Sequence, residues 1–156
     1  MINNRRRSQV TNTRYYTRCL LMTPCLFAYG SLLTGDAPAH VLSALSRHGR
    51  VIGEGHIQGR LYMLDGYPGA VSALSSKCRV FGRVYRLLNM REVLRVLDEY
   101  EAYNSNDPQR GEFIRTRTSV VLIPTQKRIP AWVYWYNGEI QSRPHIPSGD
   151  YISYRT

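Results

Sequence analysis

At 156 residues, 43% of them hydrophobic, the chain has the size of one domain and can bury a core. It has no run of about 18 apolar residues, which excludes a membrane-spanning helix. Its net charge of +10 is lopsided: residues 1–24 hold Arg5, Arg6, Arg7, Arg14 and Arg18 and no acid, while the other 16 of 21 basic residues share positions 25–156 with all 11 acids.

Residues 1–24 show no apolar periodicity and read as an unstructured extension, or as sequence preceding a natural first residue at Met22. A folded unit over 25–156 follows. The apolar stretch CLLMTPCLFA is broken by Thr23-Pro24 and runs into the Tyr29-Gly30 motif, so a cleaved leader is not expected. A basic tail can bind nucleic acid or an anionic membrane, but no helix-turn-helix, zinc or RRM-type signature accompanies it, and neither is an expected partner. Cys19, Cys25 and Cys78 are odd in number and lack C-x-x-C spacing, which fits a reducing, cytoplasmic setting. His40, His48, His56 and His145 are scattered and form no metal pair, so no metal site is expected.

Cys25 to Tyr29 reads as a buried strand that stops at Gly30-Ser31. Residues 36–47, DAPAHVLSALSR, read as a helix with Asp36 as N-cap, Pro38 in the first turn and Gly49 as the stop. HIQGRLYML and RVFGRVYRL each alternate around a central glycine, Gly59 and Gly82, which predicts a bulge or sharp bend in each strand. DGYPGA at 65–70 is turn chemistry. Residues 89–103 form the strongest helical pattern, with Asn89 as cap and Glu92 three residues on. In FIRTRTSVVLI, Ile114, Thr116, Thr118, Val120 and Leu122 share one face while Arg115 and Arg117 point the other way, as a solvated face would. IPAWVYWYN is a further strand, and HIPSGDYISYRT reads as irregular. Strands outnumber helices and arrive in runs. The expected class is α+β, a small, mostly antiparallel curled sheet or barrel with helices packed on it.

One carboxylate is out of place. At about 100° per residue, Met90, Val93, Leu94 and Leu97 cluster on one face of the 89–103 helix, and Glu101 falls in the same sector. Asp98 sits at its edge and Glu99 on the far side. Burial and the negative end of the helix dipole both oppose a charge at position 101 and raise its pKa. A glutamate tuned toward neutrality can accept and return a proton near pH 7. The structural alternative is a Glu that bends outward or pairs with an arginine.

FAYGSLL near the start and LDEYEAY about 70 residues later together resemble the γ-glutamylcyclotransferase-like superfamily, which includes γ-glutamylamine cyclotransferases and AIG2-like proteins. GEGHIQGRLYML, GYPG, VFGRVYRL and PAWVYWY are similar to its intervening strands and turn, so that the match covers about residues 25–136. The resemblance implies a mixed β-barrel with flanking helices. It also implies a reaction in which the free α-amine of a γ-glutamyl group attacks its own γ-carbonyl, releasing 5-oxoproline and an amine or amino acid, without metal, cofactor or covalent intermediate. By the same resemblance, the backbone of Tyr29, Gly30, Ser31 and Leu32 cradles the γ-glutamyl part, and Glu101 is the general acid/base. Ser31 lies outside a G-x-S-x-G elbow and is not expected to be a nucleophile. Tyr67, Tyr134 and Tyr136 could line the pocket or simply pack. Many members have glycine after the glutamate, where this chain has Ala102. Two other functions stay open from the residues alone: a non-catalytic small-molecule-binding module on the same fold, and a charge-driven nucleic-acid binder.

Overall fold

The computed structural model describes residues 24–156; the expected disorder of the basic N-terminal segment therefore lies outside the described residues, Pro24 apart. The described residues form seven strands, β1 (Cys25–Ala28), β2 (Gly49–Met63), β3 (Pro68–Ser72), β4 (Arg79–Leu87), β5 (Phe113–Ile123), β6 (Arg128–Tyr136) and β7 (His145–Ile146), with helices α1 (Ser31–Thr34), α2 (Ala39–His48), α3 (Met90–Tyr100) and α4 (Tyr151–Arg155). The strands run in the order β3-β2-β4-β1-β6-β5, and β5 pairs back onto β2. That last pairing closes β2, β4, β1, β6 and β5 into a five-stranded barrel. It is mixed, because β1 meets β6 in parallel at Leu26↔Trp132 while the other pairs are antiparallel.

Strand β2 is the organiser. All of its first ten positions but Ile52 pair with β4, Glu54 to His56 also pair with β5, and from Gly59 on it leaves the barrel to pair with β3 and β7. Gly82 sits in an unbroken ladder with β2, without the bulge expected there, while Gly59 marks the point where β2 changes partner from β4 to β3. The register shift lies between Val51 and Gly53 instead. The glycine at 82 has a packing reason: a Cβ there would stand 2.2 Å from the carbonyl oxygen of Ala28 and 2.8 Å from Phe27 Cζ. It lets β4 approach β1 where the barrel wall is tightest.

β1 is buried on both faces, and its alternation divides the core. Cys25, Phe27 and Tyr29 join Ile57, Val80, Val84, Val120 and Val133 inside the barrel, and Leu61 belongs to the same buried cluster. Leu26 and Ala28 join Val41 and Leu45 of α2 and Val93, Leu94 and Leu97 of α3 in a second layer between wall and helices. The helices sit where the apolar periodicity of their sequences demands a partner.

Local capping departs from expectation in three places. Asp36 does not cap α2: Pro38 occupies the N-cap position, and the Asp36 carboxylate accepts from Thr34 Oγ1 at 2.5 Å and pairs with Arg155. At the front of α3, Asn89 Oδ1 accepts from the Glu92 N–H at 3.2 Å, but the Glu92 side chain turns to Arg95 instead of closing a reciprocal box. The C-terminal stretch is ordered structure. It contains β7 and α4, and the Asp150 carboxylate caps α4 by accepting from the N–H groups of Ile152 and Ser153. Arg115 is not a solvated strand residue either: it pairs with Asp98 of α3 at 3.0 Å and lies over the rings of Tyr103 and Trp132. No helix among the described residues is long and apolar enough to cross a membrane.

Candidate active site

The chain leaves β1 at Ala28 and turns at Gly30 into the single turn α1. A Cβ on Gly30 would lie 2.7 Å from Pro68 Cγ, so the absence of a side chain lets the loop press against the start of β3. Ser31 and Leu32, the first helical positions, have no carbonyl one turn back inside α1 to bond, and neither donates to backbone elsewhere among the described residues. The Ser31 hydroxyl shares a 2.8 Å hydrogen bond with the hydroxyl of Tyr100 on α3, which ties this loop to the last turn of that helix. Tyr29 contributes backbone here, since its side chain is committed to structure: its hydroxyl donates to the Tyr134 carbonyl at 2.7 Å and accepts from the Ala70 N–H at 3.2 Å.

Glu101 stands one residue past α3, at its C-cap, with its N–H bonded to the Leu97 carbonyl. The expected helix to residue 103 therefore ends at Tyr100. The end is a two-bond left-handed cap: Ala102 N–H donates to the Glu99 carbonyl at 3.3 Å and Tyr103 N–H to the Asp98 carbonyl at 2.8 Å. Ala102 occupies the left-handed position of that cap, with φ 49°. Only glycine adopts such a φ without steric cost. Ala102→Gly is accordingly expected to stabilise the fold by about 0.5–1 kcal/mol, measured as a rise in the urea midpoint at unchanged slope; an unchanged or lower midpoint would show that the alanine is not strained.

The α3 end is braced from below. Asp98 accepts from the Tyr134 hydroxyl at 2.7 Å and from Arg115 at 3.0 Å, linking the helix to β6 and β5. Loop and helix end meet across a cavity of about 210 Å³ whose lining includes Tyr29, Gly30, Ser31, Leu32 and Glu101. Tyr67 and Tyr134 also line it; Tyr136 does not, and packs edge-on against Phe113. Pro68, Tyr100, Glu112 and Phe113, none of them singled out from the sequence, complete much of the wall. Among these only Tyr100 carried a readable signal, one residue from Glu101 on the same helix.

Burial, and secondarily the charge of Glu112, push the Glu101 carboxyl up to about 8 from 4.5; no hydrogen bond or ion pair from the described residues contributes. Between those values the folded chain holds a proton that the unfolded chain has released. This group therefore erodes stability as pH rises from 4.5 toward 8. Because the residue as a whole is only half-buried, the loss is on the order of 1–3 kcal/mol. Glu101→Gln removes the titration. Urea denaturation at pH 5, 7 and 9 should show the parent losing stability across the series and the variant losing less, so that the variant is the more stable of the two at pH 9; parallel curves would place the carboxyl in water.

Among the described residues, no three His, Cys, Asp or Glu side chains come together as metal ligands. The cavity thus brings together the desolvated carboxyl of Glu101, the loop backbone from Tyr29 to Leu32 and the carboxylate of Glu112.

Compared with known proteins, the chain matches the family described as gamma-glutamyl cyclotransferase, AIG2-like, over residues 26–153. Among solved structures it is similar to protein ytfP from Escherichia coli, at 27% identity over 85% of this chain and 99% of that one, with a TM-score of 0.57. It shares its fold with an AIG2-like protein from Mus musculus (20% identity, 80% and 86% coverage, TM-score 0.61). The fold likewise matches that of an uncharacterized protein from Pyrococcus horikoshii (19% identity, 85% and 93% coverage, TM-score 0.55). No curated protein matches significantly.

Proposed function

This chain belongs to the gamma-glutamyl cyclotransferase, AIG2-like family, and from that premise we propose that it is a γ-glutamyl cyclotransferase with Glu101 as its general acid/base. The observation that carries the reading is the unbonded Glu101 carboxyl, raised to about 8, in the same cavity as the Gly30–Leu32 backbone.

In the proposed reaction the γ-glutamyl group lies against the N–H groups of Ser31 and Leu32, which suit its negatively charged or polarised oxygens. Ionised Glu101 takes a proton from the substrate α-ammonium. The freed nitrogen attacks the γ-carbonyl carbon of the same residue, forming the ring C–N bond. As the tetrahedral centre collapses, Glu101 returns its proton to the departing nitrogen and the bond to that nitrogen breaks; Glu101 then takes the second proton from the ring nitrogen and passes it to the released amine, which leaves as its ammonium. 5-Oxoproline and a free amine or amino acid result, and no water is consumed. Because both reacting groups belong to one molecule, the site need only hold an extended chain in its ring-closing conformation. A base near 8 is well matched to an α-ammonium whose own pKa is about 8.

Purified protein incubated with γ-glutamyl amides, amino acids and peptides should release 5-oxoproline from at least one class, and not from the Nα-acetylated counterpart, whose nitrogen cannot attack. The second reading, a binding module, is favoured by the same cavity if γ-glutamyl compounds or 5-oxoproline raise the melting temperature while no member of the panel turns over.

A further inference from the structure

Among the described residues, the charged ones that line the cavity are two glutamates, Glu101 and Glu112. Their separation is set by backbone. The N–H of Glu112 donates to the carbonyl of Ala102, the residue after Glu101, at 3.1 Å, and its own carbonyl accepts from Asn137 N–H at 2.9 Å. Glu112 is therefore pinned beside the end of α3, just before β5 begins. Its carboxylate accepts a hydrogen bond from the Tyr67 hydroxyl. Glu112 is exposed, whereas the Glu101 carboxyl is desolvated, so the two acids mark the mouth and the depth of one hollow.

Among the described residues, no cation lines the mouth. Arg143, on the Tyr67 and Tyr136 side, is committed to Asp65 by two hydrogen bonds of 2.5 and 3.0 Å. Arg115, on the α3 side, is committed to Asp98. The deep acid is held toward its neutral form, so the carboxylate a substrate meets on the outer side is that of Glu112. On the reading above, the γ-glutamyl part occupies the loop and Glu101, which sends the substituent of the departing nitrogen out past Glu112.

We propose that Glu112 selects the leaving group by charge: it favours γ-glutamyl amides whose departing amine carries a second, cationic amino group, and disfavours those whose departing amine carries a carboxylate. Tyr67 holds the Glu112 carboxylate in place. The discrimination comes from one carboxylate at a solvent-exposed rim, so its expected size is about tenfold between cationic and neutral chains of equal length, shrinking with salt.

The test uses three matched substrates on the full chain: the γ-glutamyl monoamides of pentane-1,5-diamine, of pentylamine and of 5-aminopentanoate. The parent is expected to rank them diamine, then alkyl, then carboxylate by kcat/KM. Glu112→Gln should bring the three within about threefold of each other, and Glu112→Arg should invert the order. Calorimetric Kd values for the same compounds should follow the same ranking. A parent that turns over all three equally, or a ranking that survives Glu112→Gln, overturns the proposal and leaves the cyclotransferase reading intact. So does a uniform fall for all three in Glu112→Gln, which would assign the carboxylate to the α-ammonium that they share. Absence of 5-oxoproline from every substrate, with no difference in Kd, sinks both.

Discussion

Glu101→Gln is expected to lower kcat for 5-oxoproline release by about 10²–10⁴-fold, the range for losing a positioned acid/base, while Kd for substrate and product stays within a few-fold of the parent. Glutamine keeps the volume of the side chain and cannot carry the transferred proton. No group among the described residues bonds the Glu101 carboxyl, so the exchange severs no hydrogen bond with them and leaves none of them unpaired. The variant is therefore expected to fold, and at alkaline pH to be the more stable protein. That combination, inactive but intact and able to bind, separates a chemical role from a packing one. Full activity in the variant would remove Glu101 from the chemistry. Lost activity together with lost binding would make it a residue that shapes the cavity.

The second large effect lies away from the chemistry. Gly82→Ala is expected to destabilise the fold by about 3 kcal/mol or more, seen as a lowered urea midpoint, with turnover per folded molecule reduced as well. The new methyl would meet a backbone oxygen, that of Ala28, at 2.2 Å, and backbone cannot rotate aside as a flexible side chain can. Relief requires β1 and β4 to separate. Ala28 is two residues from Gly30, so the displacement travels directly into the loop that borders the cavity. An alanine variant of parental stability would mean that the wall is looser than its ladder implies.

The helical phase of 89–103 places Glu101 on the apolar face without any structural knowledge, and the Asn89 cap is legible from residue type alone, because both depend only on neighbours within a turn or two. The α+β class and the barrel follow from strand runs and from the family resemblance. What local pattern cannot carry is distance along the chain. β2 and β5 meet through Glu54 to His56 and Val121 to Ile123, and nothing near either stretch announces the other. Gly82 looks like a bend because a glycine's absent side chain is visible in a sequence, whereas the backbone that needs the room is not. Asp36 has the residue type of a cap, but its carboxylate is taken by Thr34 and by Arg155, 119 positions away. Glu112 enters the cavity because its N–H bonds the end of a helix ten residues earlier, and a charged residue before a strand carries no sign of that. Helix α4 has five residues, too few to show a period.

The direct measurement is the titration of one carboxyl. In uniformly ¹³C-labelled protein, the side-chain carboxyl resonance of Glu101, assigned by its disappearance in Glu101→Gln, is followed from pH 3 to pH 10 with and without 5-oxoproline. The account predicts a midpoint at about 8, with a resonance that shifts when 5-oxoproline occupies the hollow. A midpoint at the ordinary 4.5, indifferent to the added compound, would contradict it.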